Sequence, residues 1–95
     1  MTDLPHLFAP LHLRGHVIRN RILSTGHMTV MLQDGVPSDR MVAYHAARAK
    51  GGAGLIIIEA ARVHPSGESS RPGIRAYSDD CIPAYARLAG AVQEH

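Results

Sequence analysis

Apolar residues run unbroken through Leu55-Ile56-Ile57-Ile58, with Gly51-Gly52-Ala53-Gly54 before them and Glu59-Ala60-Ala61 after. A strand with one wet face alternates apolar and polar side chains. A run without alternation predicts a strand covered on both faces. The β-branched isoleucines and the shortness of the run favour a strand over a buried helix. Gly51 and Gly52 suit the left-handed backbone that ends a helix. Ala60 and Ala61 are small and leave room at the strand's exit. In α/β proteins that exit is where ligands sit.

The pattern changes period just upstream. Met41, Tyr44 and Ala47, with Val42, Ala46 and Ala49, give a helical apolar stripe in an alanine-rich stretch that ends at Lys50. Ser38 or Asp39 serves as its N-cap, and Lys50 suits the negative end of the helix dipole. Ile22–Thr25 reads as an earlier strand ended by Gly26. Strand, helix and strand from Ile22 to Glu59 make a βαβ unit, with enough linking residues for a parallel crossover. Leu11-His12-Leu13 and Val17-Ile18 flank Arg14-Gly15-His16 and predict a small β-hairpin. Residues 1–10 read as an extended lead-in, with Pro5 and Pro10 blocking helix. Gln33-Asp34-Gly35-Val36-Pro37 is turn chemistry throughout. Arg62 to Ser78 reads as a long polar loop. A loop of that length at a strand exit is more often functional than a solvated excursion. Pro83 must fall in the first turn of a final helix, which places the N-cap at Asp80. Ile82, Tyr85, Ala89 and Val92 then repeat at helical spacing.

Composition narrows the class. The 95 residues suit one small domain or part of a larger one, and 45% apolar content is enough for a core. Aromatics are only 4%, so aliphatic side chains and alanine must supply the packing. A formal charge of +2 with scattered Arg and Lys gives no footprint for nucleic acid. Cys81 is the single cysteine, so no internal disulfide forms, as fits a reducing cytoplasm. Its place at a helix mouth, with no His–acid partner in view, reads as packing rather than nucleophile. His12 and His16 are four apart, but Gly15 and the flanking leucines make a hairpin of them rather than a metal site, so no metal is expected. The N-terminus lacks the signature of a signal peptide, and no apolar run approaches the ~20 residues that span a bilayer. The expectation is a soluble cytoplasmic protein.

The series βαβα implies a parallel sheet. Two parallel strands and two helices leave sheet edges and a helix face uncovered, and a full (β/α)8 barrel needs roughly 250 residues. The 95 residues are therefore expected to be the opening portion of a larger α/β domain, poorly stable when isolated.

Three stretches carry a resemblance: LFAPLHLRGHVIRNRILSTGHMT, YHAARAKGGAGLIIIEAARVHPSG and SDDCIPAYARLAGAVQEH. In this order and spacing they resemble the old yellow enzyme family of FMN-dependent oxidoreductases, NADH:flavin oxidoreductases among them, over about Leu7 to His95. The resemblance implies an FMN-binding (β/α)8 TIM barrel. Residues 1–19 would be its lead-in and N-terminal hairpin, and 20–95 its first two βα units. It also implies that Thr25, Gly26, His27 and Met28, at the exit of the first strand, line the flavin together with Ala60. Many relatives carry Pro at Gly26, and Cys or Thr at Met28. Methionine is a poor hydrogen-bonding group, which puts flavin tuning from that position in doubt.

His27 has two readings: a donor beside flavin or substrate, or a packing residue at the barrel top with its ring satisfied by backbone. It is the one candidate catalytic side chain, since the family's His–His or His–Asn pair, phosphate loop and proton donor lie beyond His95. Gly-His-Met leans toward the larger dienoyl-CoA reductase and amine dehydrogenase branch. There an iron–sulfur cluster and a second nucleotide site for FAD occur in regions outside these residues. The implied activity is hydride transfer from NAD(P)H or a reduced substrate, through FMN, to an activated alkene or enoyl-type acceptor. Oxidative demethylation of an amine is the alternative within the family. A truncated, non-catalytic polypeptide binding a partner through its bare strand edge is the alternative from another class. The expected partner is a small-molecule substrate, with neither nucleic acid nor membrane, and the full-length enzyme is open to homo-oligomerisation.

Overall fold

The computed structural model describes residues 3–95. The chain opens not as a plain extended segment but with a turn over residues 5–8, closed by the Phe8 amide donating to the Leu4 carbonyl. The hairpin follows, β1 (Leu11–Leu13) against β2 (His16–Ile18). Arg14 and Gly15 both have positive φ (49° and 84°), the signature of the tight turn that matches strand twist. His12 and His16 sit in that hairpin opposite Val17 and Leu13.

The first strand of the crossover is β3 (Leu23–Ser24), and its parallel partner is β6 (Leu55–Ile56). The pairing continues one step further, where the Ile57 amide donates to the Ser24 carbonyl at 2.9 Å. At the other end of the pair, buried Asn20 donates to the Gly52 carbonyl and accepts from the Ile22 amide. A Cβ on Gly54 would stand 2.5 Å from Asn20 Oδ1 and 2.9 Å from its carbonyl oxygen. Only glycine lets the two backbones run this close.

Between β3 and the helix the sequence reading found a turn but missed a second hairpin, β4 (Leu32–Gln33) against β5 (Val36–Pro37), tipped by Asp34-Gly35. Strands of two residues carry no periodicity to detect. Helix α1 (Asp39–Lys50) then starts on Ser38, whose hydroxyl accepts from the Met41 amide and donates to the Met31 carbonyl. Its buried residues are Met41, His45 and Ala49, an i, i+4, i+8 row. The expected stripe is corrected accordingly: Ala47 is exposed, and His45 takes the centre. At the helix end Gly51 stays right-handed (φ −72°), and only Gly52 turns to positive φ.

The segment 62–78 is not a featureless loop. β7 (Ala61–Arg62) pairs in parallel with β8 (Ile74–Arg75), and a 3₁₀ turn covers Pro65–Gly67. Ile74 is fully buried and forms the core with Met41 and Leu88; Met31, Leu32, Val42, Ile58, Tyr85 and Val92 pack against them. Helix α2 (Cys81–Gln93) buries Cys81, Ala84 and Leu88, whereas Ile82, expected inward, is 60% exposed. Asp80 stands at its N-cap position but makes no side-chain capping bond.

The apolar run of β6 meets a different environment from the one expected. Ile56 and Ile58 are half-buried on the helix side, but Leu55 and Ile57 are 41% and 48% exposed. Leu23 stands beside Leu55 in register and is 46% exposed. One face of the parallel pair is therefore covered among the described residues, and the other is an open apolar row. At the foot of the pair, Arg19 donates to the Ala49, Ala53 and His95 carbonyls, tying together the C-terminal ends of α1 and α2. No helix among the described residues is long and apolar enough to cross a membrane.

Candidate functional site at the strand exits

Because β3 and β6 are parallel, both chains leave the pair at the same end. Thr25, Gly26, His27 and Met28 leave from one, and Ile57 to Ala60 from the other; Thr25 to Met28 and Ala60 are all solvent-exposed. A Cβ placed on Gly26 would lie 3.2 Å from the Ile58 carbonyl oxygen and 3.3 Å from Ile57 Cγ2. The two exit segments run side by side at van der Waals distance, and glycine sets that spacing.

Glu59 fastens the two segments. It is 4% exposed and bonds to a single loop. One carboxylate oxygen accepts from the Thr29 amide at 3.1 Å and from the Thr29 hydroxyl at 2.5 Å. The other oxygen accepts from the Val30 amide at 3.2 Å. Val30 is held at φ +52°, a conformation that branched side chains avoid. A buried carboxylate with three donors is satisfied, and hydrogen bonds to a charge are the strong kind. The sequence reading gave Glu59 no role. Its only signal was a charge set directly behind an apolar strand.

His27 is held at both ring nitrogens. Nδ1 lies 2.8 Å from the Thr25 carbonyl oxygen, and Nε2 lies 2.5 Å from the Tyr44 hydroxyl of α1. The ring meets Tyr44 edge-on, with centroids 5.6 Å apart. Tyr44 is itself clamped, with the Arg48 guanidinium 3.5 Å from its ring centroid and Arg48 Nη1 donating to its carbonyl. Behind them lies His45, fully buried, its ring 5.1 Å from Tyr44 and 6.5 Å from His27. Neither His45 nitrogen has a hydrogen-bond partner among the described residues. Burial holds its imidazole below the ordinary histidine value; the charges of His27 and Arg48 add to this, and Glu59 opposes it.

The segment after β7 has its own polar net. The Tyr77 hydroxyl and Arg75 Nε both donate to Glu68 Oε1, at 2.6 and 3.0 Å. The Tyr77 bond, helped by Arg75, lowers the Glu68 carboxyl below its usual range. Arg62 donates to the Ser69 hydroxyl and the Arg71 carbonyl. These bonds give the segment a defined path beside the strand exits.

A sequence model of the NADH:flavin oxidoreductase / NADH oxidase family matches residues 6–95. The chain belongs to this family. Among relatives within it, an NADH oxidase of Thermoanaerobacter brockii is 37% identical over 97 residues, covering 100% of this chain and 15% of its own length. An NADPH dehydrogenase of Listeria monocytogenes is 32% identical over 91 residues, covering 94% of this chain and 27% of its own length. The old yellow enzyme from Trypanosoma cruzi superposes with a TM-score of 0.83 at 34% identity, over 95% of this chain and 24% of that structure. The chain thus spans between 15% and 27% of these curated relatives, and its α/β architecture is consistent with the opening of the barrel in this flavin oxidoreductase family.

Proposed function

We propose that residues 1–95 are the opening portion of a single FMN-binding (β/α)8 barrel, with 1–19 the lead-in and hairpin and 20–95 the first two βα units. The whole enzyme transfers hydride from NADH or NADPH, through FMN, to an activated alkene or enoyl-type acceptor. The observation that carries this reading is the shared exit of the parallel pair. There Thr25–Met28 and the segment ending at Ala60 form one rim above the open row of Leu23, Leu55 and Ile57. Such a row needs further strands against it, and a barrel supplies them.

The residues fit a flat, largely uncharged ring. Gly26 and Ala60 are small, Thr25 offers a hydroxyl, and none of the five carries a fixed charge. Met28 would contribute soft thioether contact with the ring rather than a hydrogen bond. FMN, when bound, supplies the electron-transfer chemistry, and these residues hold and orient one of its edges. Both nicotinamides stand in the names of the relatives above.

The test uses the full-length protein that carries this segment. It is expected to purify with FMN, to be bleached anaerobically by NADH or NADPH, and to be reoxidised by an enoyl thioester or an enone. A protein that carries no flavin and takes up none from excess FMN overturns the proposal. Bleaching by a secondary amine, and not by either nicotinamide, moves the activity to amine oxidation.

A further inference from the structure

The sequence reading put Tyr44 in an apolar stripe, yet its hydroxyl reaches out of the helix to His27. The direction of that bond follows from the other end of the ring. The Thr25 carbonyl oxygen can only accept, so Nδ1, 2.8 Å away, must carry a proton. In neutral His27, Nε2 is then bare and must accept, and the Tyr44 hydroxyl donates to it. Arg48, packed on the face of the phenol and bonded to its carbonyl, keeps the hydroxyl aimed at the ring. Neutral His27 therefore has no N–H left for a ligand. What it offers the rim is a fixed ring, and what fixes the ring is a residue on the neighbouring helix.

We propose that Tyr44 is a positioning residue for the cofactor edge. By donating to His27 it holds in place the ring whose Nδ1 proton the Thr25 carbonyl fixes, and with it the backbone of Thr25 through Met28 that the flavin reading sets against the cofactor. This assignment rests on the flavin reading above and adds to it a residue that does not touch the ring.

The experiment uses the full-length protein at about pH 8, and the nitrogen-15 shifts themselves report whether the ring is neutral. Nitrogen-15 NMR of labelled histidine is expected to show His27 protonated at Nδ1 and bare at Nε2. The Y44F variant loses only the hydroxyl; its His27 keeps the Nδ1 proton that the Thr25 carbonyl demands, and the Nε2 resonance is expected to shift as that nitrogen loses its donor. Losing one neutral hydrogen bond predicts FMN binding about fivefold weaker in Y44F. Because Tyr44 acts through His27, adding Y44F to H27A should cost nothing further. Three results overturn the assignment: a His27 protonated at Nε2 in the parent, equal FMN affinity in Y44F, or a full additional loss in the double variant. Failure of the flavin reading looks different, since the parent then shows no flavin uptake at all.

Discussion

Removing the Glu59 carboxylate is the sharpest perturbation of the rim. In Glu59→Ala the Thr29 amide, the Thr29 hydroxyl and the Val30 amide lose their acceptor together. Each bond to a charged group is worth about 1.5–3 kcal/mol, and an orphaned buried donor costs about 1–3 kcal/mol. The loop is part-buried, so water recovers some of this, and a total near 3 kcal/mol is expected. That is about two orders of magnitude in the folded-to-unfolded ratio. In a barrel-sized protein it lowers Tm by roughly 6–12 °C. Glu59→Gln keeps one oxygen and the shape, and should lose about half as much. The assay is denaturant unfolding of the full-length protein, paired with amide hydrogen exchange at Thr29 and Val30, which should quicken in the alanine variant. A loss under about 0.5 kcal/mol with unchanged exchange at both amides would refute the claim that this carboxylate fastens the two segments.

Two further outcomes are checkable in the same protein. His45 is buried without a hydrogen-bond partner among the described residues and its imidazole is held below the ordinary value, so the unfolded chain takes up a proton first. Stability should be intact above about pH 6.5 and fall as pH drops below it, toward the lowered folded value. His45→Phe should raise stability by about 1–2 kcal/mol at pH 8 and flatten that part of the profile. A less stable variant, or an unchanged slope, counts against it. Val30 is strained at positive φ and half exposed, so Val30→Gly relieves about 1–2 kcal/mol of backbone strain and gives back about 0.5–1 kcal/mol in chain entropy. The denaturation midpoint should hold or rise slightly. A drop equivalent to more than about 1 kcal/mol would show that the strain is imaginary.

What could be read from the sequence was whatever repeats or punctuates. The isoleucine run, the alanine-rich helix with Ser38 before it, and the Arg14-Gly15 turn each carry a local signal, and the parallel pairing followed from their order. Ile74 carried none. It is a lone apolar residue among Pro72, Gly73 and Arg75, and it is buried because β8 carries it against Met41 and Leu88. His45 lies on the same helical row as Met41 and Ala49, but a stripe traced through apolar residues alone passes it by. The His27–Tyr44 and Glu59–Thr29 bonds join residues 17 and 30 positions apart. No periodicity encodes such meetings; they follow once the crossover brings α1 and the two exits together. The expectation that Leu55–Ile58 would be covered on both sides fails at Leu55 and Ile57, which the described residues leave exposed; on the barrel reading proposed above, further strands would cover them.

The bare row of Leu23, Leu55 and Ile57 has a consequence during synthesis. On the barrel reading, roughly 150 more residues must emerge before the closing staves arrive, and at about 5–20 residues per second the ribosome needs on the order of 10–30 s. Throughout that interval a nascent chain shows water a greasy stripe beside an unpaired backbone rim, the surface that holdase chaperones grip and that neighbouring nascent chains stick to.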